Sequence, residues 1–407
     1  MLIRPADILL PDLSRASDWT KWAVVACDQY TSEPEYWERV KSFTDGAPST
    51  LDLILPEAYL ADPGERVDRI HRKMAEYMSS GFFREYPNCG IYLERTLRSG
   101  KTRRGIVAAV DLDEYDYRPG SDSMIRATEA TVVERIPPRL KIREGAPLEL
   151  PHIMLLVDDP DDALIGRFRG RRPDAYSFPL MENSGSVSAS FIEGREFDGI
   201  ESTLAELGRR SGSGIVLAVG DGNHSLATAK TAYENIKKKA GSKAAASHPA
   251  RYALCEIVNL YDPSLEFEPI FRLVTGTDPS ELLSEFAAYS DSLNGSRPAQ
   301  RFTVVRDGGT AVLTVPAPEA ELPVTTLQKF LDAYAAAHTG TSLDYIHGEV
   351  SLIRLSEREG CAGFLFEGMK KEDLFPSVAS DGCLPRKTFS MGEASDKRFY
   401  IEARKIL

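Results

Sequence analysis

The run Gly214-Ile215-Val216-Leu217-Ala218-Val219-Gly220-Asp221-Gly222-Asn223-His224-Ser225 concentrates more chemistry than any other stretch of the chain. An apolar, β-branched segment ends in two glycines that bracket an aspartate, and a histidine and a serine follow. The pattern predicts a strand, a tight turn and a helix N-terminus, where backbone N–H groups point outward and hold anions. On this reading the amides of Gly222, Asn223, His224 and Ser225 wrap a phosphate. Asp221 takes a metal ion or a substrate hydroxyl, and His224 donates to a phosphate oxygen or moves a proton. Asn223 is placed to cap the helix. The competing reading is a turn whose Asp and Asn bond their own backbone, with His224 merely packed.

Three more clusters bear charge. Arg126-Ala127-Thr128-Glu129-Ala130-Thr131, with Arg135 and Arg139 downstream, offers Glu129 as a general base or metal ligand and the arginines as an anion clamp. Its plainer alternative is a solvated helical face with Glu129–Arg126 and Thr131–Arg135 pairs. Pro385-Arg386-Lys387-Thr388 sets two cations and a hydroxyl in a proline-fixed loop, either a phosphate contact or a basic surface loop. In Leu343-Asp344-Tyr345-Ile346-His347-Gly348, strand alternation puts Tyr345 and His347 on one face and Asp344 on the other, which reads as packing.

The elements that must position these residues alternate between helix and strand, which predicts an α/β to α+β fold. We divide the chain into 1–120, an N-terminal α/β region; 121–275, the core that carries the Asp221 turn; and 276–407, a C-terminal α+β region. In the first, Ser32 is the expected cap of a helix with Pro34 in its first turn. A second helix over Glu65 to Met78 aligns Val67, Ile70, Met74 and Met78. Strands near Gly90 to Thr96 and Arg104 to Asp111 flank a hairpin turn. The second holds a strand from Glu149 to Val157, a helix within Gly194 to Gly208, and strands at Tyr252 to Asn259 and Leu265 to Leu273. The third has helices at Pro279 to Tyr289 and Thr326 to Ala337 and a hairpin around Asp307-Gly308-Gly309.

The 407 residues carry a net charge of −12, which argues against a general nucleic-acid binder, because that role needs a basic face. Apolar runs are too short to span a bilayer, and the start lacks a signal peptide's basic and apolar regions. A cytoplasmic protein without a nucleic-acid or membrane partner is expected, and a homodimer is the base-rate assembly. Five scattered cysteines read as reduced thiols rather than a zinc site.

Together these motifs resemble a prokaryotic domain-of-unknown-function family. Its members show an Asp-Gly-His-His-Arg turn, an earlier His-Glu-x-Thr, a Leu-x-x-x-Pro-x-His-Arg strand and a late Pro-x-Lys-Ser-Thr-x-Phe. The counterparts here are Asp221 to Ser225, Thr128 to Thr131, Leu265 to Arg272 and Pro385 to Phe389, and Asp28-Gln29-Tyr30 matches a Tyr-Asp turn. The Asp-Gly-x-His turn is similar to the phosphate-binding turn of the ParB/sulfiredoxin superfamily, which includes a free-serine kinase and CTP-binding switches. That resemblance implies a strand–turn–helix core embedded in a larger mixed-sheet protein, with Asp221 and His224 facing a nucleotide. Ser225 stands where relatives place Arg, and Thr128 where many have His, so either Lys387, Arg386, Arg139 or Arg272 supplies the missing cation or the ligand differs; Arg126, Thr131 and Thr388 are further phosphate contacts.

The leading expectation is therefore a phosphotransferase acting on a small hydroxyl metabolite such as an amino acid. ATP or ADP sits at the turn, Mg²⁺ near Asp221, Glu129 takes the hydroxyl proton, and Lys387 balances charge. A non-catalytic nucleotide-binding switch is the second reading. A haloacid-dehalogenase-like phosphatase is the third, suggested by Gly220-Asp221-Gly222-Asn223, with Asp111 as its nearest nucleophile.

Overall fold

A computed structural model describes every residue except Asp62 and Gly308. The chain forms two compact units. One comprises Met1–Ala127, Thr131–Leu265 and Glu393–Leu407, and the other Thr128–Ala130 and Glu266–Gly392. Both mix helices with sheet, the α/β to α+β class that the alternation predicts. The cuts fall at 127, 131, 265 and 392, where the sequence reading drew lines at 120 and 275. Sheet pairing explains the absence of a cut near 120. Strand Tyr252–Asn259, assigned to the second segment, pairs antiparallel with Thr102–Asp111 of the first, so one sheet runs through both.

The first unit is built on an 11-stranded sheet. From one edge the main path runs Tyr176–Pro179, Ser186–Glu193, Phe83–Thr96, Thr102–Asp111, Tyr252–Asn259, Met154–Val157, Leu217–Asp221, Ile125–Ala127 and Tyr115–Asp116. The first five strands are antiparallel neighbours. Beyond them the direction mixes: Met154–Val157 is parallel to Tyr252–Asn259, and Leu217–Asp221 is parallel to Ile125–Ala127 but antiparallel to Met154–Val157. Period-two alternation buries both faces. Ile106, Ala108 and Val110 enter one apolar cluster with the helix residues Ile200, Leu204, Leu226 and Tyr233. Val107 and Ala109 enter the other, with Trp37 and Val40.

Several expected elements stand with shifted details. The helix Pro34–Thr44 has Glu33, not Ser32, at its cap, and no side chain caps it. The helix Arg66–Ser79 buries Ile70 and Met74 as expected, but Tyr77 in place of Met78, which is 37% exposed. The strand expected over 149–157 is interrupted: Leu148–Glu149 and Met154–Val157 flank Pro151, which has no N–H to give a ladder. The hairpin Phe83–Thr96 with Thr102–Asp111 closes as expected, with Thr96 opposite Thr102.

The second unit is an antiparallel sheet in the order Gly309–Val315, Gln300–Arg306, Cys361–Phe366, Phe267–Thr275, Ser342–His347, with Phe389–Met391 also on Phe267–Thr275. Helices Pro279–Ser292 and Pro323–Ala337 accompany it, and Phe286 joins Phe302, Phe330 and Phe364 in edge-on ring contacts. Gln300–Arg306 and Gly309–Val315 pair as the expected hairpin, whose Gly308 lies outside the described residues.

Candidate functional site

Strand Leu217–Asp221 runs into helix Asn223–Ala240 through Gly222 alone, the strand–turn–helix that the sequence predicts. A register shift between Val219 and Asp221 re-aims the end of the strand, a bulge-type device that places a side chain off the ladder. Gly222 has φ +78 and occupies the cap position. Asn223 therefore opens the helix and does not cap it, because the left-handed turn ahead of it needs the residue without a side chain. A Cβ on Gly222 would meet the Ile153 Cα at 3.1 Å. We expect Gly222→Ala to lower stability in urea unfolding by about 2 kcal/mol, from left-handed backbone strain plus that contact. Unchanged stability would contradict the assigned turn.

Two of the four predicted crown amides are engaged within the turn itself. Gly222 N–H donates to the Asp221 Oδ1 at 3.0 Å, and Ser225 N–H to the Gly222 carbonyl at 3.0 Å. The amides of Asn223 and His224 fall in the first helical turn, where no intrahelical carbonyl is in reach. Asn223 Oδ1 on the same turn, and Thr131 Oγ1 next in chain to the Val132 amide that His224 accepts, are buried without a hydrogen-bond partner in the protein. Orphaned buried polar atoms are rare and call for a physical account. His224 points elsewhere than expected: its Nε2 accepts the Val132 N–H at 3.3 Å, which ties the ring to the segment after Thr131.

The carboxylates carry the electrostatics. Asp221 Oδ2 lies 3.3 Å from Lys397 Nζ. Burial, and then the Asp221 charge, hold the Asp28 carboxyl above its ordinary value; His152 and the Gln29 amide, whose Nε2 donates to Asp28 Oδ1 at 3.0 Å, work in the opposite direction. A buried acid beside a second acid binds its proton more tightly because both effects disfavour the anion.

Next to this pair runs a hydrogen-bonded relay. Ser225 Oγ is 2.9 Å from His152 Nε2, and His152 Nδ1 is 2.9 Å from the Tyr400 hydroxyl, which accepts the Cys27 N–H at 3.3 Å. His152 is 7% exposed and Tyr400 2%. Burial pushes the Tyr400 phenol well above its usual range, and it is neutral at any physiological pH. Tyr400 thus chooses the histidine tautomer: if its proton goes to Nδ1, Nε2–H donates to Ser225; if Nδ1–H donates to the phenol oxygen, Nε2 accepts from Ser225. The relay opens on a cavity of about 140 Å³.

The other expected site residues divide between the units. In the first, Arg126 is in a strand, with Nε on the Ser123 carbonyl at 3.0 Å, so the helical i,i+4 pairing expected there does not form. Arg139 pairs with Glu57 and donates to the Arg135 carbonyl at 2.7 Å. In the second, Glu129 Oε1 accepts the Lys387 N–H at 3.2 Å. Arg272 is fully buried; its guanidinium holds Gln328 Oε1 and the carbonyls of Ile270, Lys387 and Arg386, and lies over the Tyr345 ring. Burial lowers its pKa to about 10. Arg272 is thus a pillar under the 385–388 loop, not a phosphate ligand. Thr388 spends its hydroxyl proton on the Pro385 carbonyl at 2.7 Å. Lys387 has φ +55, and its Nζ stands 5.4 Å above Tyr345. Asp111, the nucleophile of the phosphatase alternative, takes Arg251 with both oxygens, at 3.0 and 2.6 Å, and the Asp113 N–H, which leaves it structural.

Sequence reading placed Asp221 and Ser225 here but missed His152, Lys397 and Tyr400. It noted Asp28-Gln29-Tyr30 only as a turn. A polar Asp-Gln-Tyr one residue beyond the buried run Trp22 to Ala26 was the available signal for Asp28.

No curated protein matches the chain. Among solved structures, a free serine kinase mutant in complex with ADP is 11% identical with a TM-score of 0.40, covering 75% of this chain and 93% of that one. A conserved hypothetical protein from Pyrococcus furiosus is 11% identical with a TM-score of 0.36, covering 72% and 94%. SbnI with a C-terminal truncation, from Staphylococcus aureus, is 11% identical with a TM-score of 0.35, covering 72% and 82%. A likeness of this extent specifies neither ligand nor chemistry here. Among the described residues no helix is long and apolar enough to cross a membrane. The family model described as "Protein of unknown function (DUF1015)" matches residues 12–334, and the chain belongs to that family.

Proposed function

We propose that the first unit is a phosphotransferase that moves the terminal phosphoryl group of ATP to the hydroxyl of a small metabolite. The observation that carries the reading is the orphaned Asn223 side chain in the first turn of an 18-residue helix, directly after a strand that ends in Asp221, whose charge acts on Asp28. Donor phosphates sit at the start of that helix, beside the Asn223 side chain and the Thr131 hydroxyl, where the helix dipole favours negative charge. Likeness of the Asp-Gly-x-His turn to that of the ParB/sulfiredoxin superfamily supports the same placement.

Asp28 accepts the acceptor's proton in place of Glu129, because its raised pKa brings it closer to the working range of a general base. The acceptor oxygen forms a bond to the γ-phosphorus. The bond from that phosphorus to the bridging oxygen breaks, and its electron pair leaves with ADP. Lys397 holds Asp221 in place at 3.3 Å. The donor set fits Mg²⁺, which is commonly held by one or two carboxylates together with substrate phosphates; Asp221 would hold it, and it would neutralise phosphate charge.

A thermal-shift series with ATP, ADP, AMP, CTP and GTP, followed by an ADP-release assay with hydroxyl acceptors, tests the reading. We expect saturable stabilisation by ATP, ADP release that needs an acceptor, and loss of release in Asp221→Ala with circular dichroism unchanged. Saturable binding without release identifies the non-catalytic switch. Absence of nucleotide binding overturns both.

A further inference from the structure

The cavity on which Ser225, His152 and Tyr400 open is lined by two unlike sets of side chains. One is the hydroxyl of Ser225 and the imidazole of His152, 2.9 Å apart. Leu53, Leu60, Met74, Ile142 and Leu148 line the rest. Four charged residues also reach it, but they cancel in pairs: Glu57 with Arg139, and Glu149 with Arg143 at 2.6 Å. A ligand that carries its own ammonium and carboxylate would find no unpaired counter-charge on this wall and would lose their hydration, a cost of several kcal/mol per ion. An uncharged apolar group gains roughly 25 cal/mol for each Å² it removes from water.

We propose that this cavity binds the uncharged apolar arm of an alcohol, with the hydroxyl seated on Ser225 and His152. The size follows from the volume. About 140 Å³ compares with an engineered apolar cavity of roughly 150 Å³ that holds a benzene molecule, so the arm is a ring or a chain of about six carbons. Ser225 Oγ has one proton and two lone pairs, and its bond to His152 uses one of these functions, which leaves others for an incoming O–H. Asp28, which follows the lining residue Cys27, is near enough to His152 for their charges to act on each other, so the seated hydroxyl shares a histidine neighbour with the proposed proton acceptor. As the identity of the acceptor, this rests on the phosphotransferase reading, and it replaces the amino-acid acceptor expected from the family resemblance with an aliphatic or benzylic alcohol.

The test separates binding from turnover and uses the full chain. Benzyl alcohol and 1-hexanol are titrated by ligand-observed NMR and thermal shift, with glycerol and L-serine as polar controls. The expected result is saturable binding of the first two at a Kd at least tenfold below that of either control, weakened at least tenfold by Leu60→Trp, which fills the half-buried rim. Ala146→Phe is the second filling variant, used if circular dichroism shows Leu60→Trp unfolded. With ATP, benzyl alcohol should exceed serine in kcat/KM by at least tenfold. Equal or tighter binding of serine or glycerol, or indifference to both filling variants, overturns the proposal even where ADP is released. Benzyl alcohol that binds, is displaced by the filling variant and yet supports no ADP release leaves the cavity assignment standing and removes the phosphotransferase.

Discussion

If the proposed phosphotransferase reading holds, Asp28→Asn is expected to lower kcat by about 10²–10⁴-fold, the usual share of a positioned general base, while raising the melting temperature at neutral pH. Both halves come from one environment. Burial and the Asp221 charge hold the Asp28 carboxyl above its ordinary value of 3.8, so ionising it costs more in the folded chain than in the unfolded one. A group raised in this way contributes its full stability below the unfolded value and loses it as pH rises through the folded one. Asparagine keeps the shape and removes the ionisation. The stability gap between variant and parent should thus be widest at neutral pH and close as pH falls towards 4. Urea unfolding from pH 4 to 8, beside a kcat profile, reads both. A variant that keeps full turnover, or a gap that widens in acid, excludes Asp28 as the base.

The second large effect concerns the frame that holds the site. Glu256 is fully buried between Arg103 Nε at 3.3 Å and Arg398 Nη1 at 2.6 Å. Arg398 also pairs with Glu402 and donates to the Pro151 carbonyl at 3.1 Å, and Glu402 accepts the Tyr176 hydroxyl at 2.6 Å. The network needs Gly105 opposite it: a Cβ there would come within 2.7 Å of Glu256 Oε1. Glu256→Gln leaves two buried guanidinium groups short of an anion, and we expect a loss of about 3–5 kcal/mol in urea unfolding. Burial alone would push the Glu256 carboxyl up, but Arg103 and Arg398 outweigh it and hold it below its ordinary value of 4.5. A depressed acid contributes stability above its unfolded value and loses it as pH falls. The difference between parent and Glu256→Gln therefore shrinks below about pH 4.5. A loss under 1 kcal/mol would show that solvent reaches the cluster.

What the sequence disclosed, and what it hid, follows from the range of each interaction. The Leu217–Asp221 strand, its glycine turn and the helix behind it were legible because local periodicity and one left-handed residue specify them. So was the hairpin at residues 97–101. Asn223 was misread as a cap because a helix start and a cap differ by one residue in sequence. Arg126 was misread because Arg, Thr and Glu in a row suit a helix face as well as a strand end, and the deciding contact is a partner strand 92 positions on (Leu217 opposite Ile125). His152 and Tyr400 carry no local signal at all: they meet across 248 residues of chain. Arg272 looked like a ligand because sequence shows its charge but not the three carbonyls that consume it.

The segment Glu393–Leu407 rejoins the first unit after the whole excursion from Glu266 to Gly392. It delivers Lys397 to Asp221, Arg398 to Glu256 and Tyr400 to His152. During synthesis these three emerge after nearly everything they must meet. A chain that lacks Lys397 onward holds Glu256 with Arg103 but without Arg398, and His152 without its orienting phenol. The first unit is accordingly stitched shut by a segment distant in sequence from the strands it fastens, and removing Lys397 to Tyr400 would open three separate contacts at once.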